Sequence, residues 1–518
     1  MNWREEGEGD GHGAGITREA LNRSSGVLLP LFSLPGSGGI GDLGQRSRDF
    51  VDWLVNSGCT AWQVLPLAPV DRTGCPYSSF ADAAGESRLI SLDGLVDAGL
   101  LLSHEAFYPG RPGEKVDYGS VGDFKELRLK KAAQRFLTKR SHPWRRQFSV
   151  FCDESPWLED VALFQLLRRI HGGLPWWRWS EGFRTRDLKW LRDVRDKFRQ
   201  EYDSYRAIQF FFWKQWAELK AYCGERGIAL LGDLPFYVDG DSADVWCFQN
   251  LFELDEGGQP ALVSGVPPDD FAPDGQRWGH PVYRWQVMAE DSFGWWVRRF
   301  QRAFHRFDVV RIDHFRGFSA FWGIPGRVNS AKEGAWIDGP GQAFFTSIRA
   351  QLSQFPVIVE DLGVIDDSVV ELVDELNAPG MRVLLFGDTS RANCVHRLRN
   401  HSWNSICYTS THDTNTASGW ISEMDNSELS LVRKDLELDC KDLPWSLIDR
   451  AMSSRSRLVV FPIADLLGTG AEGRLNVPGT EVGNWQRRLL PGELSPALGE
   501  RLRILNERHR RVGLFRLD

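Results

Sequence analysis

Eight short apolar runs, strung between helix-like stretches, constrain the fold of this chain more than any other feature. They occupy residues 26–32, 61–67, 228–235, 308–313, 357–361, 382–386, 406–410 and 458–463. Their apolar character is nearly continuous rather than alternating, which marks strands buried on both faces and so a parallel sheet. Helical periodicity fills several gaps. The pattern at 48–55 is stopped by Gly58, one near 208–226 feeds the third run, and one at 368–376 closes at Pro379-Gly380. Eight strand–helix units predict an α/β chain folded as a (β/α)8 TIM barrel, in preference to an open doubly wound sheet.

The rhythm breaks twice. Residues 100–210 are rich in Arg, Lys, Trp and Phe at helical spacing, which predicts a largely helical insertion. Residues 239–300 begin with a polar, aromatic, Pro-rich stretch, which predicts a loop subdomain, with 239–290 read as surface loop. Residues 1–22 are acidic, Gly-rich and aperiodic, the pattern of a flexible tail, leaving 23–518 for the barrel.

Charge and motif content narrow the function. Across 518 residues, 62 Lys+Arg stand against 70 Asp+Glu, a net charge of −8. A nucleic-acid binder would show a basic excess. No run approaches the roughly 18 apolar residues that a membrane span needs. The opening MNWREEGEGDGHG has no apolar signal core, so a cytoplasmic enzyme is expected. Eight cysteines without a CxxC pair read as reduced, buried thiols. Without HExxH or paired Cys/His spacing, no metal site is signalled. Gly39-Ile40-Gly41-Asp42-Leu43-Gly44 matches a dinucleotide fingerprint. However, Ser33–Gly38 separates it from its strand, and no acid ends the next strand, so turn-forming glycines are the better reading.

In a barrel, chemistry belongs at the C-terminal ends of the strands. Polar residues collect there. The third run carries Asp233, the fourth Arg311 and Asp313 with His314 beyond, the fifth Glu360-Asp361, and Thr411-His412-Asp413 follows the seventh. Any one of these acids could simply pair with an arginine. Several acids at the same end of different strands converge on one cleft, where like charges raise some pKa values and leave others ionised. Converging carboxylates without a metal signature fit glycoside chemistry, with one acid protonating the leaving oxygen and one carboxylate attacking the anomeric carbon. The 22 Trp add flat apolar faces on which sugars stack.

Several ordered blocks resemble the 4-alpha-glucanotransferases, the amylomaltase or disproportionating-enzyme family of the alpha-amylase clan. They include Trp62-Gln63-Val64-Leu65-Pro66-Leu67, Pro76-Tyr77-Ser78-Ser79-Phe80, Gly232-Asp233-Leu234-Pro235 and Gly275-Gln276-Arg277-Trp278-Gly279. Others are Arg311-Ile312-Asp313-His314-Phe315-Arg316-Gly317-Phe318, Glu360-Asp361-Leu362-Gly363, Thr411-His412-Asp413, Asn476-Val477-Pro478-Gly479-Thr480 and Gly483-Asn484-Trp485. The resemblance runs from about residue 23 to about 490 and implies a set of roles. Asp313 would be the nucleophile, Glu360 the general acid/base, and Asp413 the carboxylate that stabilises the transition state. Arg311 and His412 would contact hydroxyls and carboxylates. Asp233, Tyr77, Trp278 and Asn484 would line the glucan site. It implies no metal and no organic cofactor, and no C-terminal β-domain. The implied partners are alpha-1,4-glucans (maltodextrins, amylose, glycogen-derived oligosaccharides), with glucose as an acceptor. The chain departs from the family pattern at Ser410, where Gly usually precedes Thr-His-Asp, after Asp413, where Thr414-Asn415-Thr416 stands in place of the usual Asn-Asp, at Leu385 where Gln is common, and at Cys75 where Ser is usual. A glucan hydrolase with the same acids, or a non-catalytic glucan binder, remains an alternative at this point.

Overall fold

Each of the eight runs supplies one strand. These are β1 (Ser24–Leu28), β2 (Ala61–Gln63), β3 (Ala229–Leu234), β4 (Val309–Ile312), β5 (Val357–Val359), β6 (Gly380–Val383), β7 (Ser405–Tyr408) and β8 (Leu458–Pro462). Neighbours in sequence pair in parallel, and β1 closes on β8 to complete the barrel. The strands are buried almost end to end, as their continuous apolar runs require. The computed structural model describes residues 23–110, 113, 115–268, 272–439, 442–480 and 482–517. The expected tail at 1–22 and Cys440 lie outside the described residues.

The barrel interior is packed rather than hollow. Leu28, Leu231, Val309, Ile358, Met381, Ile406 and Leu458 meet there with Phe515 of the C-terminal tail. That tail enters at the end opposite the strand-end acids: Gly513 bonds Arg23, just ahead of β1, and its carbonyl accepts from Thr60, just ahead of β2. Each fully buried side chain of this kind contributes roughly 1.5–3 kcal/mol.

Helices cover the barrel outside. In α1 (Gln45–Asn56), Phe50, Val51, Trp53 and Leu54 form the buried stripe. It ends in a Schellman turn, with Gly58 at φ 73° and the Cys59 N–H returning to Leu54 O. The region between 100 and 210 holds helices Tyr118–Thr138, Arg145–Glu154, Trp157–Ile170 and Leu188–Lys197, followed by the long α2 (Arg199–Glu225). From α2, Gln209 and Gln215 each exchange two hydrogen bonds with the chain after β2, at Gly85 and Ser91. No helix among the described residues is long and apolar enough to cross a membrane.

The stretch read as surface loop differs from that reading. Leu262–Val266 and Gln276–Pro281 are strands of a four-stranded antiparallel sheet completed by Ala320–Pro325 and Ala335–Asp338, from beyond β4. Its buried core is Val263, Ile324 and Ala331. So small a core needs no apolar run, which is why the sequence pattern hides it. Residues Gly294–Arg306 form α3, which leads into β4.

Candidate active site

One arginine organises two of the strand-end acids. Arg311 on β4 is buried, and its Nη1 donates to both oxygens of Asp233 at 2.8 and 2.9 Å while lying 3.0 Å from Oδ1 of Asp313. The Asp233 side chain has no exposed surface, whereas Asp313 keeps 25% of its own. Asp233 is therefore the counter-charge that fixes Arg311, and Asp313 is the acid that faces the cleft. Burial pushes the Asp313 carboxyl up to about 6; Arg311 opposes the shift, and Asp233 and Asp413 add to it.

The turn after Asp313 delivers the next acid. His314 is left-handed, at φ 45° and ψ 49°, a strained setting for a residue with a Cβ. This turn aims the His314 N–H at Oε2 of Glu360, 2.6 Å away. Burial drives the Glu360 carboxyl well above its ordinary range; Arg311 opposes this, and the neighbouring Asp313 adds to it. Of the two neighbouring acids, Glu360 is therefore the one pushed further toward its protonated form, while Asp313 keeps Arg311 beside it. Asp361 is turned away instead. It accepts from Met381 N–H at 2.6 Å and from Arg382 at 2.7 Å. A Cβ at Gly380 would fall 2.3 Å from its Oδ2, so only glycine fits beside it.

The third carboxylate comes from beyond β7. His412 Nε2 lies 3.1 Å from Asp413 Oδ2, and the Asn476 amide donates to Oδ1 at 2.7 Å. Arg474 holds the Asp413 carbonyl at 2.9 Å. Burial raises the Asp413 carboxyl, but His412, Asn476 and Arg311 together overcome it and hold it down to about 2. Its side chain still keeps 42% of its surface open. Tyr77 bridges this corner to Arg311, donating to Asp233 at 2.7 Å with its oxygen 2.8 Å from His412 Nε2. Its ring stacks on His412 at 5.5 Å, and Trp485 packs against both.

Trp278 stands on the strand Gln276–Pro281 and meets the His314 ring, next in sequence to Asp313, edge-on at 4.8 Å. Asn484 does not reach this cluster. Its oxygen accepts from Val477 N–H, and its amide donates to Thr480, so its polar atoms brace their own loop. Sequence reading placed Asn476 in a motif but gave it no role, and assigned none to Arg474, Trp485 or His314. The one available signal was Asn476 itself, a polar residue opening a Pro-Gly turn late in the chain. Among the described residues no group of His, Cys, Asp and Glu is arranged to hold a metal.

The family profile described as 4-alpha-glucanotransferase matches residues 29–493. The chain belongs to the 4-alpha-glucanotransferase family. It is thus a transferase, an enzyme. Among its relatives, the 4-alpha-glucanotransferase of Thermus thermophilus is 42% identical over 502 residues, covering 95% of this chain and 100% of that one. The chloroplastic/amyloplastic 4-alpha-glucanotransferase of Solanum tuberosum is 41% identical over 478 residues, covering 90% of this chain and 82% of that one. Among solved structures, amylomaltase from Streptococcus agalactiae in complex with acarbose superposes with a TM-score of 0.91 at 34% identity, covering 94% of this chain and 99% of that one. In family terms, the barrel is the expected frame, and the three acids of the cleft fall on the matched segment.

Proposed function

We propose that this 4-alpha-glucanotransferase moves alpha-1,4-glucan segments from a donor maltodextrin to the 4-hydroxyl of an acceptor glucan or glucose, by double displacement with retention. The Asp313 carboxylate attacks the anomeric carbon, the bond to the leaving O4 breaks, and Glu360 gives that oxygen its proton. The acceptor 4-hydroxyl then passes its proton to Glu360, attacks the same carbon, and releases Asp313. Arg311 keeps Asp313 ionised and aimed. Asp413, low in pKa and open to the cleft, is the carboxylate suited to the positive charge that develops on the sugar ring. Tyr77 and Trp278 offer ring faces to the glucan, and His412 a ring nitrogen. Asp233 acts indirectly, through Arg311 and Tyr77.

The observation that carries this reading is the opposed setting of two neighbouring acids. Glu360 accepts the backbone N–H of the residue after Asp313 and burial drives its carboxyl upward, while Asp313 is ion-paired with Arg311. Asp313→Asn should lose about 10⁴-fold or more in transfer rate, as other enzymes do when the nucleophile of a concerted group is removed. Near-normal activity in that variant would sink the assignment. Maltotriose as sole substrate should yield glucose together with longer maltodextrins; glucose without longer products would make the enzyme a hydrolase.

We also read the segments about 100–210 and 239–300 as insertions into the barrel of 23–518. A cytoplasmic setting is supported by Cys59, Cys75, Cys152, Cys223, Cys247, Cys394 and Cys407, all unpaired.

A further inference from the structure

Tyr77 sits on a long loop; its hydroxyl meets Asp233 and His412 and its ring stacks on His412, but its packing is incomplete on one side. A cavity of about 40 Å³ opens there, with Tyr77, Asp233, Asp82, Arg299 and Arg306 among the residues that line it. The space is large enough to hold water. The position of the tyrosine hydroxyl therefore depends on how its loop is anchored as well as on its own contacts.

The anchor is five residues further on. Asp82 Oδ1 accepts from Nε and Nη2 of Arg299 at 3.1 and 3.0 Å, and its Oδ2 accepts from Arg302 at 3.3 Å. Arg306 donates to the Asp82 carbonyl at 3.2 Å. The three arginines share one face of α3 at spacings of three and four residues. Arg299 is 1% exposed and has a second set of partners: Nη2 donates to Pro235 O at 2.6 Å and Nη1 to Phe236 O at 3.0 Å. Those carbonyls belong to the turn that follows Asp233. One guanidinium thus grips the loop of Tyr77 and the turn of Asp233 together, and these are the two residues whose side chains meet at 2.7 Å beside Arg311.

We propose that Asp82 and Arg299 are positioning residues for glucan transfer. Their ion pair sets the distance between the loop after β2 and the turn after β3, and so holds the Tyr77 hydroxyl between Asp233 and His412. The pair touches no reacting atom and acts through Tyr77. Other bonds hold the rest of the loop, from Ser78 to Asp239, from Ala243 N–H to the Phe80 carbonyl and from Asp82 N–H to Asp244, but the Arg299 guanidinium ties it directly to the turn after Asp233. When the pair is broken that tie is lost, and the Tyr77 hydroxyl shifts relative to Asp233 and His412. The inference rests on the reading of Tyr77 as part of the glucan cleft.

A double-mutant cycle tests it. Asp82→Asn, Tyr77→Phe and the double variant are compared for kcat/KM in maltotriose disproportionation, after circular dichroism and thermal melting establish that each is folded at the assay temperature. Asp82→Asn should lose about 10- to 100-fold, the scale of a small misplacement in an active site. In the Tyr77→Phe background the same change should cost no more than about twofold, because the residue it acts through is already disabled. A merely structural role would make the losses multiply. Wild-type activity in Asp82→Asn, or independent losses in the double variant, would overturn the proposal. Wild-type activity in Tyr77→Phe would instead refute the cleft role of Tyr77. Arg299→Lys keeps the charge but cannot reach Asp82 and both carbonyls at once. It carries the same cycle if Asp82→Asn does not fold, and should show the same dependence on Tyr77.

Discussion

Removing the Asn476 side chain should weaken transfer by about tenfold without changing its pH dependence. The Asn476 amide is 2.7 Å from Asp413 Oδ1, opposite the His412 ring that holds the other oxygen. A hydrogen bond to a charged group is worth about 1.5–3 kcal/mol. Water reaches Asp413, which keeps 42% of its side-chain surface, so the lower end applies. About 1.4 kcal/mol is one factor of ten in rate. The loss should fall mainly on kcat, because an aimed carboxylate matters most when the sugar ring becomes positive. The sign of the pKa change is equally definite. Asp413 stands at about 2, below its usual 3.8; losing the amide moves it upward, yet it remains ionised at every pH from 5 to 8. Initial rates of glucose release from maltotriose by Asn476→Ala, measured across that range, should give a curve lowered but not displaced. An undiminished kcat, or a loss confined to the acidic limb, would show that the amide does not serve Asp413 in this way.

Further outcomes follow from the same geometry. For the unmodified enzyme, kcat/KM should fall as pH drops through about 6, where protonated Asp313 can no longer attack, and fall again on the alkaline side where Glu360 loses its proton; a pH–rate profile reads both limbs, whose apparent values belong to the coupled pair. Gly380→Ala should destabilise the barrel by about 1–3 kcal/mol in urea unfolding and depress activity. The new methyl meets Asp361 at 2.3 Å and displaces the neighbour of Glu360. Arg511 is fully buried and donates to the carbonyls of Met452, Ser24, Ser454 and Ser456. Arg511→Ala should therefore cost about 3 kcal/mol or more of stability, seen as a lowered denaturant midpoint, with kcat per folded molecule little changed.

Much of the architecture was legible because its signals are local. Runs such as Val309–Ile312 and Leu458–Pro462 declare strands buried on both faces, and Gly58 declares the end of α1. One departure from the family pattern also finds a place. Ser410 donates to the buried Asp465, a contact that a glycine could not make. The sheet formed by Leu262–Val266 and its partners was not legible, because its pairing spans β4 and its core is only three residues. The local hydrogen bonds of Asn484 were not legible for a related reason. A motif names a residue, but only the folded loop shows which way its amide is spent.

What the sequence determined by itself was the set of parts: eight strands, their order, and acids at one end of them. Tertiary structure decided which acids are free to act. Asp233 and Asp361 carry the same carboxylate as Asp313, Glu360 and Asp413, yet Arg311 silences the first and Arg382 with the Met381 N–H the second. It also decided that Asn476, 63 residues further along the chain, completes the setting of Asp413. The physical reason is range. Burial patterns repeat within a few residues, while the energy of a charge depends on what stands within a few ångströms of it, and those neighbours are assembled only when the barrel closes.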